Sequence, residues 1–94
     1  MITEYDEFCC LCGRETQEIH HLVYGLANRK LADADGLLMP LCHDCHEMIH
    51  NKREMASFSR ITGQLLYERN KCAEGYSTDA ARESFRLRYG KSFL

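Results

Sequence analysis

The sequence predicts a small α+β domain: a short β-hairpin built on two cysteine knuckles, followed by helices. Three observations carry that expectation. Cys9 and Cys12 stand two residues apart, Cys42 and Cys45 repeat the spacing, and 29 residues separate the pairs. The segments "EIHHLVY" and "LLMPL" are apolar and short enough for strands beside those knuckles. Beyond residue 45 the apolar period becomes helical. A chain of 94 residues buries a proportionately small core, so it depends on added cross-links.

Each element follows from its residues. "CLCGRET" reads as a tight knuckle, with Gly13 suited to a left-handed turn after a cysteine pair. The first eight residues read as a loose lead-in. A strand is expected over residues 18–24, then a polar connection with a single helical turn, then a second strand over 37–41 whose Pro40 suits an edge. The two strands pair as a hairpin with a long loop. His46 and His50 are four apart and share one face of the following helix. Met55, Phe58, Ile61, Leu65 and Leu66 form an apolar stripe, read as core, running to about Asn70 despite Gly63 in its middle. "CAEGYST" breaks it. Ser77 or Thr78 then caps a last helix carrying Ala81, Phe85 and Tyr89 and stopped by Gly90. With no repeat, linker or low-complexity tract, residues 1–94 form one domain: a knuckle-bearing core at 9–53 and a helical extension at 54–94.

The cysteines carry the strongest chemical signal. Two Cys-x-x-Cys pairs can place four thiolates tetrahedrally around one zinc ion, so Cys9, Cys12, Cys42 and Cys45 are the expected structural ligands. A redox reading would need a βαβ context that the pattern lacks. Cys10 is a neighbour of the site, and Cys72 reads as a small buried residue. The acidic N-terminal stretch "MITEYDEFCC" lacks the apolar core of a signal peptide, and no apolar run is long enough for a membrane span, so a cytoplasmic setting without membrane contact is expected. The formal charge of −2 offers no global attraction to nucleic acid, so any phosphate contact must be local.

With the thiols committed, the histidines remain. His46 and His50 can share a second ion if a third ligand arrives from His20 or His21. His43, inside the second knuckle, faces solvent and has no role. Adjacent strand residues point to opposite sides, so His20 and His21 can serve one site only where the strand ends, twists or bulges.

The ordered set "CLCG", "EIHHL" and "LLMPLCHDCHEMIH", over residues 9–50, resembles the HNH endonucleases of the His-Me finger, or ββα-metal, type. The segments "LANRKLADADGL" and "ESFRLRYGKSFL" are also similar to small phage-encoded members. The resemblance implies a zinc-stabilised ββα-metal finger with added C-terminal helices that hydrolyses DNA phosphodiester bonds. It implies that His20, His46 and His50 ligate the catalytic divalent ion (Mg²⁺, Mn²⁺, Ni²⁺ or Zn²⁺) and that His21 is the general base. DNA is the implied partner, with phage DNA-processing or packaging proteins beside it, in the cytoplasm of a bacterial host. An unligated imidazole, with an intrinsic pKa of ~6.5, suits proton abstraction from water near neutrality. A divalent cation stabilises the charge on the leaving oxygen. Arg29, Lys30, Lys52 and Arg53 flank this centre as candidate phosphate contacts, and Arg82, Arg86, Arg88 and Lys91 form a basic edge interleaved with Phe85 and Tyr89. The chain departs from the family where Gly36 and Leu37 stand in place of the asparagine that orients the base, and Asn28, Asp33 and Asp35 are the candidate substitutes. Two other classes of function fit the same residues: a catalytically inactive zinc-stabilised module binding nucleic acid or protein, and a purely structural zinc domain.

Overall fold

The computed structural model describes residues 1–94. The order of elements is β1 (Ile19–His21), α1 (Asn28–Asp35), β2 (Leu38–Pro40), α2 (His43–Asn51), α3 (Arg53–Ala73) and α4 (Thr78–Tyr89). β1 and β2 pair antiparallel with Ile19 opposite Pro40, His20 opposite Met39 and His21 opposite Leu38. Both strands lie at an edge of this two-stranded sheet, which is what Pro40 requires. Each is three residues long, shorter than the expected 18–24 and 37–41. The connection holds more helix than one turn: α1 has eight residues and ends at Gly36, whose φ of 69° is a left-handed cap.

The lead-in is tied down. Ile2 N–H donates to Leu38 O at 2.8 Å, and Phe8 bridges Glu15 across the first knuckle. Those backbone groups find partners at the sheet edge and in the knuckle, which outweighs the segment's polar composition. Gly13 takes the expected turn with φ 81°. Cys42, in extended conformation, stands immediately before α2, and Cys45 lies in that helix's first turn. A single extended residue, Lys52, separates α2 from α3. Ser77 caps α4 by accepting from Ala80 N–H, and Gly90 ends it at φ 88°. Ala81, Phe85 and Tyr89 are buried, as the period requires, and Tyr67 of α3 meets Phe85 edge-on.

The orientation of α3 overturns one expectation. Its buried residues are Ser59, Gly63, Gln64, Tyr67 and Glu68; of the apolar stripe, Met55 and Leu66 are half-buried against the core as expected, Ile61 is half-buried, and Phe58 and Leu65 are 42% and 50% exposed. The cause is Gly63. A Cβ there would meet Val23 Cγ2 at 2.7 Å and Leu22 Cβ at 3.0 Å, so the bare glycine lets α3 lie directly on the chain leaving β1. The polar residues on that face are satisfied inside. Gln64 donates to Glu68 and Ser92 and accepts from Phe93 N–H, and Glu68 also accepts from Arg82. Gly63→Ala gains about 1 kcal/mol of helix propensity but forces overpacking worth about 1–3 kcal/mol. A lowered thermal midpoint is expected, and an unchanged or raised one would show that the approach is slack. Cys72, expected to be buried, is exposed because this rotation leaves the end of α3 in solvent.

Candidate metal centres

Two clusters of possible ligands flank α2. In the first, the Sγ atoms of Cys9, Cys12, Cys42 and Cys45 all lie within 4.8 Å of one another, with Cys12 and Cys42 at 3.5 Å. Zn–S bonds of ~2.3 Å in a tetrahedron imply S···S distances of ~3.8 Å, so the thiols fit one such ion with little movement. The first knuckle is closed by Cys9 N–H to Arg14 O (2.7 Å) and Gly13 N–H to Cys9 O (2.9 Å). Burial pushes the Cys9 thiol up, but backbone donors of Cys42, Cys12 and Leu11 outweigh it and bring it down to about 6. Burial and the neighbouring thiols push Cys45 up to about 12. Four such thiols in contact, one of them ready to ionise, are a donor set suited to a soft cation. Cys10 is exposed, as expected of a neighbour of the cluster.

In the second cluster, one ring nitrogen each of His20, His46 and His50 lies within the same 4.8 Å limit. The ring centroids form a nearly equilateral triangle with sides of 5.0, 5.4 and 5.1 Å. His20 comes from β1, and the other two from one face of α2. Hydrogen bonds define which nitrogen of His20 is available. Ser59 Oγ–H donates to Leu22 O at 2.7 Å, so its oxygen can only accept from His20 Nε2–H, also at 2.7 Å. His20 Nδ1 then carries the free lone pair. Glu18 Oε1 accepts from His46 Nδ1–H at 3.2 Å, which leaves His46 Nε2. His50 is held by packing on Tyr24, at 4.7 Å between centroids. Carboxylate, hydroxyl and aromatic supports of this kind orient ligating imidazoles. These three supports, Ser59, Glu18 and Tyr24, went unnoticed in the sequence; the only signal was the small-residue face Ser59–Gly63 at helical spacing.

Burial, reinforced by His46, His50 and His21, lowers His20 to about 3. It is therefore neutral, as a ligand must be, across the physiological range. An unfolded histidine takes its proton near ~6.5, before the folded one does, so stability is full above that value and falls as pH drops from there toward 3. With one equivalent of zinc bound and no other divalent ion, lowering the pH from 7 to 5.5 should cost the native protein about 1 kcal/mol more than it costs a His20→Gln variant. Denaturant midpoints at the two pH values check this; equal losses would refute it. Ser59→Ala should weaken metal binding at the histidines by about 10- to 100-fold while zinc on the thiols is retained, as calorimetric titration would reveal.

His21 stands beside the triangle and outside it. β1 ends at His21, so the chain turns there and both adjacent histidines line one cleft of about 210 Å³ with Ile19, Tyr24, Arg29, His46 and His50. His21 Nε2 lies 3.3 Å from Asp33 Oδ1 in the last turn of α1. The carboxylate can only accept, so Nε2 carries hydrogen and Nδ1 the lone pair. Among the three candidates for the missing asparagine, only Asp33 touches His21. Asn28 donates to Tyr24 O, and Asp35 is held by Arg88 (2.7 Å) and Tyr89 (2.6 Å). Gly36 is the helix cap and Leu37 is fully buried. His43 is exposed between Glu18 and Glu47 and lies outside the cluster.

The basic residues divide unevenly. Arg29 lines the cleft, whereas Lys30, Lys52 and Arg53 are exposed and do not line it. The expected basic edge on α4 is largely neutralised: Arg82 pairs with Glu68, Arg86 with Glu83 and Arg88 with Asp35, while Phe85 and Tyr89 are core. Arg60, absent from the expectations, lies over the Tyr24 ring at 4.6 Å. No helix is long and apolar enough to cross a membrane.

No curated protein and no solved structure matches the chain. A family model does match, over residues 5–75, a span that holds both clusters, Asp33, Ser59 and Gly63. The chain therefore belongs to the family described as protein of unknown function DUF968.

Proposed function

We propose that the chain is a metal-dependent endonuclease of the HNH, ββα-metal type, acting on DNA phosphodiester bonds. The observation that carries the reading is the pairing of a three-histidine cluster with a fourth histidine, outside the cluster, in the same cleft. A structural zinc domain has no use for the second cluster, and a simple binding module has none for an oriented free base beside it. Under this reading zinc on Cys9, Cys12, Cys42 and Cys45 holds the hairpin against α2.

His20, His46 and His50 would hold the divalent ion, which when bound supplies stabilisation of negative charge on the leaving 3′ oxygen. The chain's own residues do the rest. His21 Nδ1 takes the proton from the attacking water, and Asp33 keeps that nitrogen free and favours the imidazolium that results. Arg29, exposed at the cleft rim, draws the phosphate in. The test is relaxation of supercoiled plasmid by zinc-loaded protein with magnesium, manganese or nickel. Nicking that depends on the added ion is expected; intact plasmid with every ion at all protein concentrations would sink the proposal.

A further inference from the structure

We propose that a second cleft, lined by Arg60 and Lys91, seats a backbone phosphate of the nucleic-acid strand next to the one at the histidine cluster. The inference deepens the nuclease reading and rests on it for the identity of the strand. This cleft, of about 450 Å³, shares Tyr24 with the histidine cleft, so the two adjoin at that ring.

Charge singles it out. Of twelve lysines and arginines, Arg14, Lys71, Arg82, Arg86 and Arg88 are paired with carboxylates. Of the seven without a carboxylate partner, Lys30, Lys52, Arg53 and Arg69 line neither cleft, whereas Arg29, Arg60 and Lys91 line these two, and no acidic residue lines either. In a chain of net charge −2, unneutralised cations in two adjoining clefts make a local positive field that attracts anions.

Geometry gives its spacing. Tyr24 lies between His50, at 4.7 Å, and the Arg60 guanidinium, at 4.6 Å. The guanidinium is thus within about 10 Å of the histidine ring, a reach comparable with the separation of neighbouring phosphates along one strand. Tyr24 already has a histidine and a guanidinium against its ring, which favours a phosphate over a stacked base as the occupant. The chain just after Lys91 is anchored to the core: fully buried Gln64 donates to Ser92 Oγ at 2.9 Å and accepts from Phe93 N–H at 2.7 Å. Phe93 in turn meets Phe85 edge-on at 5.9 Å.

The experiment measures binding of a short fluorescein-labelled DNA duplex and of the corresponding single strand by anisotropy over a series of salt concentrations. The protein is zinc- and magnesium-loaded and carries His21→Ala, so that the DNA survives. For the duplex, Lys91→Gln should reduce the slope of log K against log salt by about 0.9, and Lys91→Gln with Arg60→Gln by about 1.8; for the single strand the values are about 0.7 and 1.4. A fall confined to one probe names that form as the ligand. Lys91 is exposed, so its substitution leaves folding intact, and Arg60→Lys should restore most of the affinity lost in Arg60→Gln. Slopes unchanged with both probes, or no DNA binding by the parent, would overturn the proposal. Plasmid nicking by the native protein with unchanged slopes removes this cleft and keeps the nuclease; reduced slopes without nicking do the reverse.

Discussion

Cys42→Ser is expected to abolish cooperative unfolding of the chain and release its zinc. The hairpin has two three-residue strands, and a two-stranded sheet alone is marginal in water. Cys9 and Cys42 are themselves among the twelve buried residues of the core, so the thiol cluster is where the first knuckle, the sheet and α2 meet. Structural zinc contributes roughly 10–16 kcal/mol of apparent binding energy in small domains, comparable with the whole stability of ~5–15 kcal/mol of an ordinary one. Losing one of four thiolates forfeits a large part of that. Circular dichroism melts with elemental analysis provide the measurement: the native protein should melt sharply with zinc bound, and Cys42→Ser should show a broad, early change. Cys72→Ser, altering an exposed thiol far from the cluster in sequence, should match the native protein. A sharp, unshifted melt for Cys42→Ser would mean that the thiols do not hold the fold.

His21→Ala is expected to reduce plasmid nicking by about 10²- to 10⁴-fold with the metal content of both clusters unchanged. The two histidines of "EIHHL" differ in their surroundings. His20 is buried against Ser59, while His21 lies at the cleft and meets only Asp33. Removing His21 therefore takes away a lone pair and no cluster ligand. His20→Ala should instead lose the ion together with the activity. Nicking at the native rate by His21→Ala would dismiss His21 as the base, and metal loss in that variant would place it among the ligands.

Much of this arrangement was legible in the residues because it depends on short spacings. Two Cys-x-x-Cys pairs lie close on tight turns whatever surrounds them. An i, i+4 pair of histidines shares a helix face, and Ser77 and Gly90 bound α4 by local backbone chemistry. The supports of the site were hidden because they arrive from elements distant in sequence. Ser59 is 39 residues from His20, Glu18 is 28 from His46, and Asp33 is 12 from His21. The apolar stripe of α3 misled for a related reason: hydrophobic period predicts an inward face only when burial alone decides, and here close approach at Gly63 decided otherwise.

By itself, the sequence determined the gathering of the four cysteines, the pairing of His46 and His50 on one helix face, the hairpin between the knuckles and the helical character of the rest, since these follow from residue type and local period. Only the tertiary structure decided which nitrogen of His20 is free, that Asp33 and neither Asn28 nor Asp35 meets His21, and that Arg60 and Lys91 stay unneutralised while Arg82 and Arg88 of α4 are paired. The physical reason is that these contacts join elements distant in sequence. The contact of a bare glycine with Leu22 and Val23 sets how α3 lies on the hairpin, and that docking brings Ser59 to His20 and Arg60 to Tyr24, while Asp33 reaches His21 from α1.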